Sequence, residues 1–137
     1  MDNRNLLIDT SIIIEHLRKQ NKQNSILFKI VDNYIFNVST IVEFELFAGA
    51  TNEQKIRDIN EILEICVVQP MTSEIAKGAA EIYQNLKQKN QLIEIRDIFI
   101  AATSIVTSIP LITLNTKHFE RVYSLELIPI TEFQHNI

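Results

Sequence analysis

Leu6-Leu7-Ile8-Asp9-Thr10-Ser11-Ile12-Ile13-Ile14 is the stretch on which the fold turns. A short apolar run ends in a carboxylate, two hydroxyls follow, and a second apolar run begins. That order reads as strand, loop, helix. In an open parallel sheet the carboxyl end of the first strand borders the crevice where ligands bind. A carboxylate placed there must be solvated, paired or metal-bound, because an isolated buried charge is too costly. Everything then depends on whether other acids join Asp9.

Working outward, the same alternation continues. Residues 5–8, 34–38, 65–69, 111–113 and 125–130 read as strands. Helical patterns fill the gaps at 12–19, 24–33, 40–48, 53–64, 73–89 and 95–107, with a short turn at 116–122. Gly49 suits the position after a helix end. Ile75, Ala79, Ile82, Tyr83 and Leu86 form a one-sided apolar stripe. Residues 95–107 are apolar on nearly all sides, which predicts a buried central helix. Strands separated by helices need crossover connections, so the fold class is α/β with a parallel sheet and helices on both faces.

The chain of 137 residues suits one domain over 1–137. With 46% apolar residues it can fill a core, and two glycines with three prolines argue against a many-turned β-sandwich. Thirteen basic and seventeen acidic residues give a formal charge of −4. That excludes a general nucleic-acid coat protein but not an enzyme that holds nucleic acid locally. Cys66, the single cysteine, lies in an apolar run and has no internal disulfide partner, so it is expected as a buried structural thiol. The polar start, Met1 to Asn5, does not read as a signal peptide. Residues 98–112 are too short and too polar to span a bilayer. A cytoplasmic location without a membrane partner is the expectation.

The remaining acids have competing readings. Thr40 with Glu43 three residues later matches a capping box, which gives Glu43 a structural role. Glu45 lies two residues on, roughly 200° round the helix, so only one of the two can face a given site. Glu45 is then either a solvated helix face or a ligand. Asp97 is a charge in the first turn of an apolar helix. It is favoured there by the helix dipole but, near the interior, needs a cation or donors. Arg96 is adjacent in sequence and is expected to point away from it. Asn115 follows a strand and reads either as an N-cap or as a fourth corner of a site. His118 has no ligand-spaced partner and is expected in a surface or capping role.

Asp9, Glu45, Asp97 and Asn115 all fall at carboxyl ends of strands or at helix starts beside them, so the fold brings them to one edge. Three neighbouring carboxylates repel and raise each other's pKa unless a cation neutralises them. Oxygen-only ligands select Mg²⁺ or Mn²⁺, which suits phosphodiester hydrolysis. No P-loop, dinucleotide loop or nucleophile triad competes. An aspartyl-phosphate enzyme would carry a second Asp two residues after the first, and here that position is Ser11.

Four blocks in order carry a resemblance: Leu7-Ile8-Asp9-Thr10-Ser11, Ser39 through Gly49, Asp97 through Ala102, and Leu111 through Phe119. Together they resemble PIN-domain proteins, and more narrowly the VapC-type toxins of toxin–antitoxin pairs. The resemblance implies a three-layer α/β/α domain with a five-stranded parallel sheet and a Mg²⁺- or Mn²⁺-dependent endoribonuclease. The family's first three acids fall on Asp9, Glu45 and Asp97, the expected metal ligands. Its fourth acidic position falls on Asn115, a neutral amide, which weakens the case for a second ion and keeps open a catalytically weak or inactive module that binds RNA or a protein. The resemblance places the family's small hydroxyls beside the first acid on Thr10 and Ser11, with Thr113 another candidate near the metal waters. The implied partners are a VapB-like antitoxin and a second copy of the chain. RNA would rest on local basic groups such as Arg18, Lys19, Lys22, Lys87, Lys89, Arg96, Lys117 and Arg121, while Glu94 or Glu120 is a candidate to compensate for the missing fourth acid.

Overall fold

The computed structural model describes residues 4–134. Its strands are β1 (Asn5–Ile8), β2 (Ile35–Ser39), β3 (Cys66–Gln69) and β4 (Leu111–Ile112). Its helices are α1 (Thr10–Arg18), α2 (Ile26–Ile30), α3 (Thr40–Ala48), α4 (Glu53–Glu64), α5 (Ser73–Gln88), α6 (Ile95–Thr107), α7 (Thr116–Phe119) and α8 (Thr131–Gln134), with a 3₁₀ turn at Lys22–Asn24.

Short polar side chains decide where the helices start. Ser25, Ser39, Asn52 and Thr72 each accept a backbone N–H from the first turn of α2, α3, α4 and α5, which satisfies a donor the helix cannot pair internally. The expected capping box does not form. Ser39, not Thr40, caps α3, so Glu43 sits one position too far along to close the reciprocal pair. The predicted helix over 24–33 resolves into the 3₁₀ turn and α2, because Ser25 ends the one and caps the other.

The strands pair in the order β3-β2-β1-β4, and every pairing is parallel. Leu6, Leu7 and Ile8 are all 0% exposed. Successive strand residues face opposite sides, so both faces of β1 are covered by helices, as a parallel sheet requires. The α5 stripe packs on α6 through Ile75, Ala79, Ile98 and Ala102. Gly78 lets the two helices approach, since a Cβ there would meet Val106 Cγ2 at 3.2 Å.

The sheet has four strands among the described residues, not the five expected. Segment 125–130 makes one isolated parallel bridge, Leu127 opposite Leu111. Leu111 N donates to Glu126 O, and Ile128 N to Leu111 O, both at 2.9 Å. The ladder stops there because β4 is only two residues long. Cys66 is half-buried rather than buried, with its Sγ donating to Ile62 O at 3.3 Å. Burial pushes this thiol up to about 11, so it stays protonated and unreactive at neutral pH. Among the described residues no helix is long and apolar enough to cross a membrane.

This topology positions the chemistry. The chain leaves β1 for β2 and β3 on one side and returns to β4 on the other. The reversal of strand order between β1 and β4 creates a crevice at their carboxyl ends. Asp9 directly follows β1, and Thr113 directly follows β4.

One packing contact titrates. Ser25 Oγ accepts from Phe28 N as the α2 cap and shares a hydrogen bond with His16 Nδ1, 2.6 Å away. The His16 pKa is lowered by burial first and Lys22 second, with Glu15 opposing. A lowered folded-state pKa means the unfolded chain binds the proton more readily, so this contact's stability is present above the unfolded value and is lost as pH falls below about 6.5. Thermal melts between about pH 7.5 and pH 5.5 should show the wild-type midpoint dropping more than that of His16→Gln, which cannot titrate.

Candidate active site

Asp9 is 1% exposed, and each of its oxygens is occupied. Its Oδ1 accepts from Thr10 N at 2.8 Å at the start of α1. Its Oδ2 accepts from Thr113 Oγ1 at 2.7 Å and from Ser11 Oγ at 3.2 Å. The two hydroxyls in turn accept backbone donors: Leu114 N to Ser11 Oγ and Asn115 N to Thr113 Oγ1, each at 3.0 Å. The carboxylate therefore ties the ends of β1 and β4 together and shapes the loop into α7.

Glu45 reaches the same place from α3. Its Oε1 accepts from Thr10 Oγ1 at 2.7 Å. Asp97, 1% exposed, comes from the first turn of α6. The group that joins all three acids is Arg96. Its Nη2 donates to Asp9 Oδ1 at 2.9 Å and to Glu45 Oε1 at 2.5 Å, and its Nη1 donates to Asp97 Oδ1. The expectation that Arg96 points away from Asp97 is overturned. The long side chain folds back over the first helical turn, because three carboxylates create a demand for positive charge that outweighs helical direction. Burial alone lowers the Arg96 pKa, but hydrogen bonds and charges from Glu45 and Asp9 reverse this and raise it. The guanidinium is fully protonated and belongs to this cluster rather than to an outward basic surface.

Asn115 joins the cluster at its edge. Its side chain lies 2.9 Å from His118 Nδ1, and His118 Nδ1 lies 3.2 Å from Asp97 Oδ2. The Asn115 atom at this contact is the amide nitrogen Nδ2: an unprotonated Nδ1 accepts from it, and a protonated Nδ1 donates to Asp97 Oδ2 instead. Asn115 stands at the N-cap position of α7 without making a side-chain cap. His118, expected in a surface or capping role, keeps 39% side-chain exposure and also contacts Asp97. Only the packing of α7 against α6 reveals this, since the two residues are far apart in sequence. Glu94 and Glu120 are exposed, at the start of α6 and the end of α7.

Three carboxylates against one guanidinium leave two formal negative charges on this rim. All the acidic donors are oxygen, the set preferred by a hard divalent cation. Among the described residues no group of three acidic, His or Cys side chains is arranged to hold a metal as it stands. Arg96 lies between them, and its buried Nε has no hydrogen-bond partner. The donor chemistry fits a divalent ion once that side chain moves. Beside Glu45, a groove of about 470 Å³ is bordered by Arg18, Lys55 and Gly49. Besides Arg96, several of the expected basic groups are already engaged: Lys22 Nζ donates to Leu17 O and Lys19 O, Arg121 Nη1 to Leu92 O, Lys19 Nζ lies 3.5 Å from Glu15 Oε2, and Lys87 Nζ sits over the Tyr83 ring.

Thr113 is the most testable support of this arrangement. Thr113→Val keeps its shape but strips a hydrogen bond from buried Asp9 and leaves Asn115 N without an acceptor. Chemical denaturation should register a loss of about 1–3 kcal/mol; a change near zero would mean that water replaces both contacts.

The family profile of the PIN domain matches residues 6–125. Ribonuclease VapC1 of Methanocaldococcus jannaschii is 30% identical over 117 residues, covering 85% of this chain and 80% of that protein. Ribonuclease VapC of Rickettsia bellii is 32% identical over 136 residues, covering 91% of this chain and 96% of the relative. Among solved structures, VapBC-1 from nontypeable Haemophilus influenzae superposes with a TM-score of 0.79 at 27% identity, over 93% of this chain and 98% of the other. VapBC2 from Rickettsia felis, bound to a promoter DNA fragment, also reaches 0.79, at 23% identity over 90% of this chain and 97% of the other. The fold, the order of its acids along the chain and these matches agree: the chain belongs to the PIN-domain family and, within it, to the VapC ribonucleases.

Proposed function

We propose that residues 1–137 form one PIN domain that acts as a Mg²⁺- or Mn²⁺-dependent endoribonuclease, the toxin of a type II toxin–antitoxin pair. The observation that carries this reading is the convergence of Asp9, Glu45 and Asp97, from β1, α3 and α6, on one guanidinium at the crevice between β1 and β4. Relatives named ribonucleases and solved neighbours that are VapBC complexes support it.

In this reading Asp9, Glu45 and Asp97 are the metal ligands. A bound divalent ion supplies an activated water and stabilises charge on the scissile phosphate. Thr113 and Ser11 hold the Asp9 carboxylate in a single orientation, and Thr10 does the same for Glu45. Asn115 completes the catalytic set as a neutral group beside His118, and its lack of charge favours one ion over two. A VapB-like antitoxin is the inhibitory partner, the chain works as a homodimer, and its compartment is the cytoplasm. Phosphate contacts from exposed basic side chains make RNA affinity fall with salt.

A second reading, a catalytically weak or inactive module that binds RNA or a protein, is favoured by one feature: the space between the acids is filled by Arg96, and the fourth corner is an amide. RNA cleavage by purified protein separates the two. Mn²⁺ or Mg²⁺ should support cleavage and a chelator should abolish it. Asp9→Asn and Asp97→Asn should each reduce the rate by at least about 100-fold, since even the outer supports of metal ligands are worth 10–100-fold. No metal-dependent cleavage, or unchanged rates in both variants, would favour the inactive module.

A further inference from the structure

We propose that Arg96 is a resident counter-ion: it holds the three acids together without metal and must withdraw for a divalent ion to bind. The inference rests on the metal-site reading above. The guanidinium bonds Asp9 Oδ1, Glu45 Oε1 and Asp97 Oδ1, one oxygen from each acid. The other oxygens of the two buried aspartates are engaged by neighbouring side chains, Asp9 Oδ2 by Thr113 and Ser11 and Asp97 Oδ2 by His118. Arg96 therefore holds the one oxygen of each buried aspartate that other side chains leave, together with Glu45 Oε1. A second cation on those oxygens would be repelled by the first at short range.

The site is also built so that the side chain can leave. Arg96 retains 24% side-chain exposure beside aspartates at 2%, so its exit is toward solvent. Its Nε has no partner in the inward position. A buried unpaired donor is unfavourable, and rotation outward restores that donor to water. The inward pose is therefore held by the carboxylates, with one long contact from Nη2 to Thr10 Oγ1 at 3.4 Å. Neutralising them by another cation removes what holds it. Residues Asp9 and Glu45 are drawn from distant parts of the chain, so the same contacts bind α6 to β1 and α3 while no ion is present. Arg96 is thus a positioning residue whose charge opposes metal loading and whose absence loosens the metal-free protein.

Calorimetric Mn²⁺ titration and chelator-treated thermal melts of Arg96→Met and Arg96→Lys test this. Arg96→Met should melt below wild type without metal and bind Mn²⁺ at least about tenfold more tightly, a factor corresponding to one decade in Kd. Arg96→Lys keeps the charge but loses the planar fork, and should fall between them in both measurements. Binding seen only in Arg96→Met, and abolished by adding Asp9→Asn, would support the proposal equally. Unchanged or weaker Mn²⁺ binding by both folded variants would overturn it. If neither wild type nor any variant binds Mn²⁺, or if binding survives Asp9→Asn, the metal-site reading itself fails.

Discussion

A carboxylate that is 1% exposed at the end of the central strand has to be satisfied on both oxygens, and the structure around it is arranged to do so. The donors that meet Asp9 come from α1, from the residue after β4 and from α6. Each is a point where one segment of the chain is tied to another. The hydroxyl of Thr113 links β1 to β4 beyond their short ladder, which spans only two residues of β4. The guanidinium of Arg96 links α6 to both β1 and α3. Charge satisfaction at one atom group thus supplements a sheet edge that backbone pairing leaves short.

The parallel topology explains why these groups meet. Order β3-β2-β1-β4 puts the strand-order reversal beside β1, so the loops after β1 and β4 diverge around an open crevice. Helix α3 begins immediately after β2, the neighbour of β1, and delivers Glu45 to the same rim. Helix α6 is braced from behind by α5, where Gly78 and small side chains permit close approach. That bracing holds Asp97 and Arg96 at the crevice rather than leaving them in solvent. The burial of Asp97 is therefore a consequence of helix packing more than of its own preference.

Electrostatically the site is unfinished by its own residues. One guanidinium cannot neutralise three carboxylates, and it leaves its own Nε unpaired. A rim of this kind attracts cations, yet its permanent cation is part of the chain. The acids reach one rim from three separate elements, the end of β1, α3 and α6. The position of Arg96 accounts for how the metal-free chain tolerates them.

Much of this was legible in the residues alone. The α/β class, the parallel strands, the buried α6 and the gathering of Asp9, Glu45 and Asp97 at one edge follow from apolar periodicity and from which residues end apolar runs. These are local properties, read over windows of a few residues. The fifth strand was not decided locally, because its pairing depends on whether β4 is long enough to template it. The cap of α3 moved by one residue because Ser39 and Thr40 are both competent caps, and the register of β2 chose between them. Arg96 was misplaced, and the contact of His118 with Asp97 went unseen, for a related reason. A long cationic side chain goes where charge is concentrated, and a lone histidine goes where its helix is packed. The sequence by itself determined which residues could carry the chemistry. Only the tertiary structure decided which of them touch, because electrostatic demand and packing act between segments that the chain order keeps far apart.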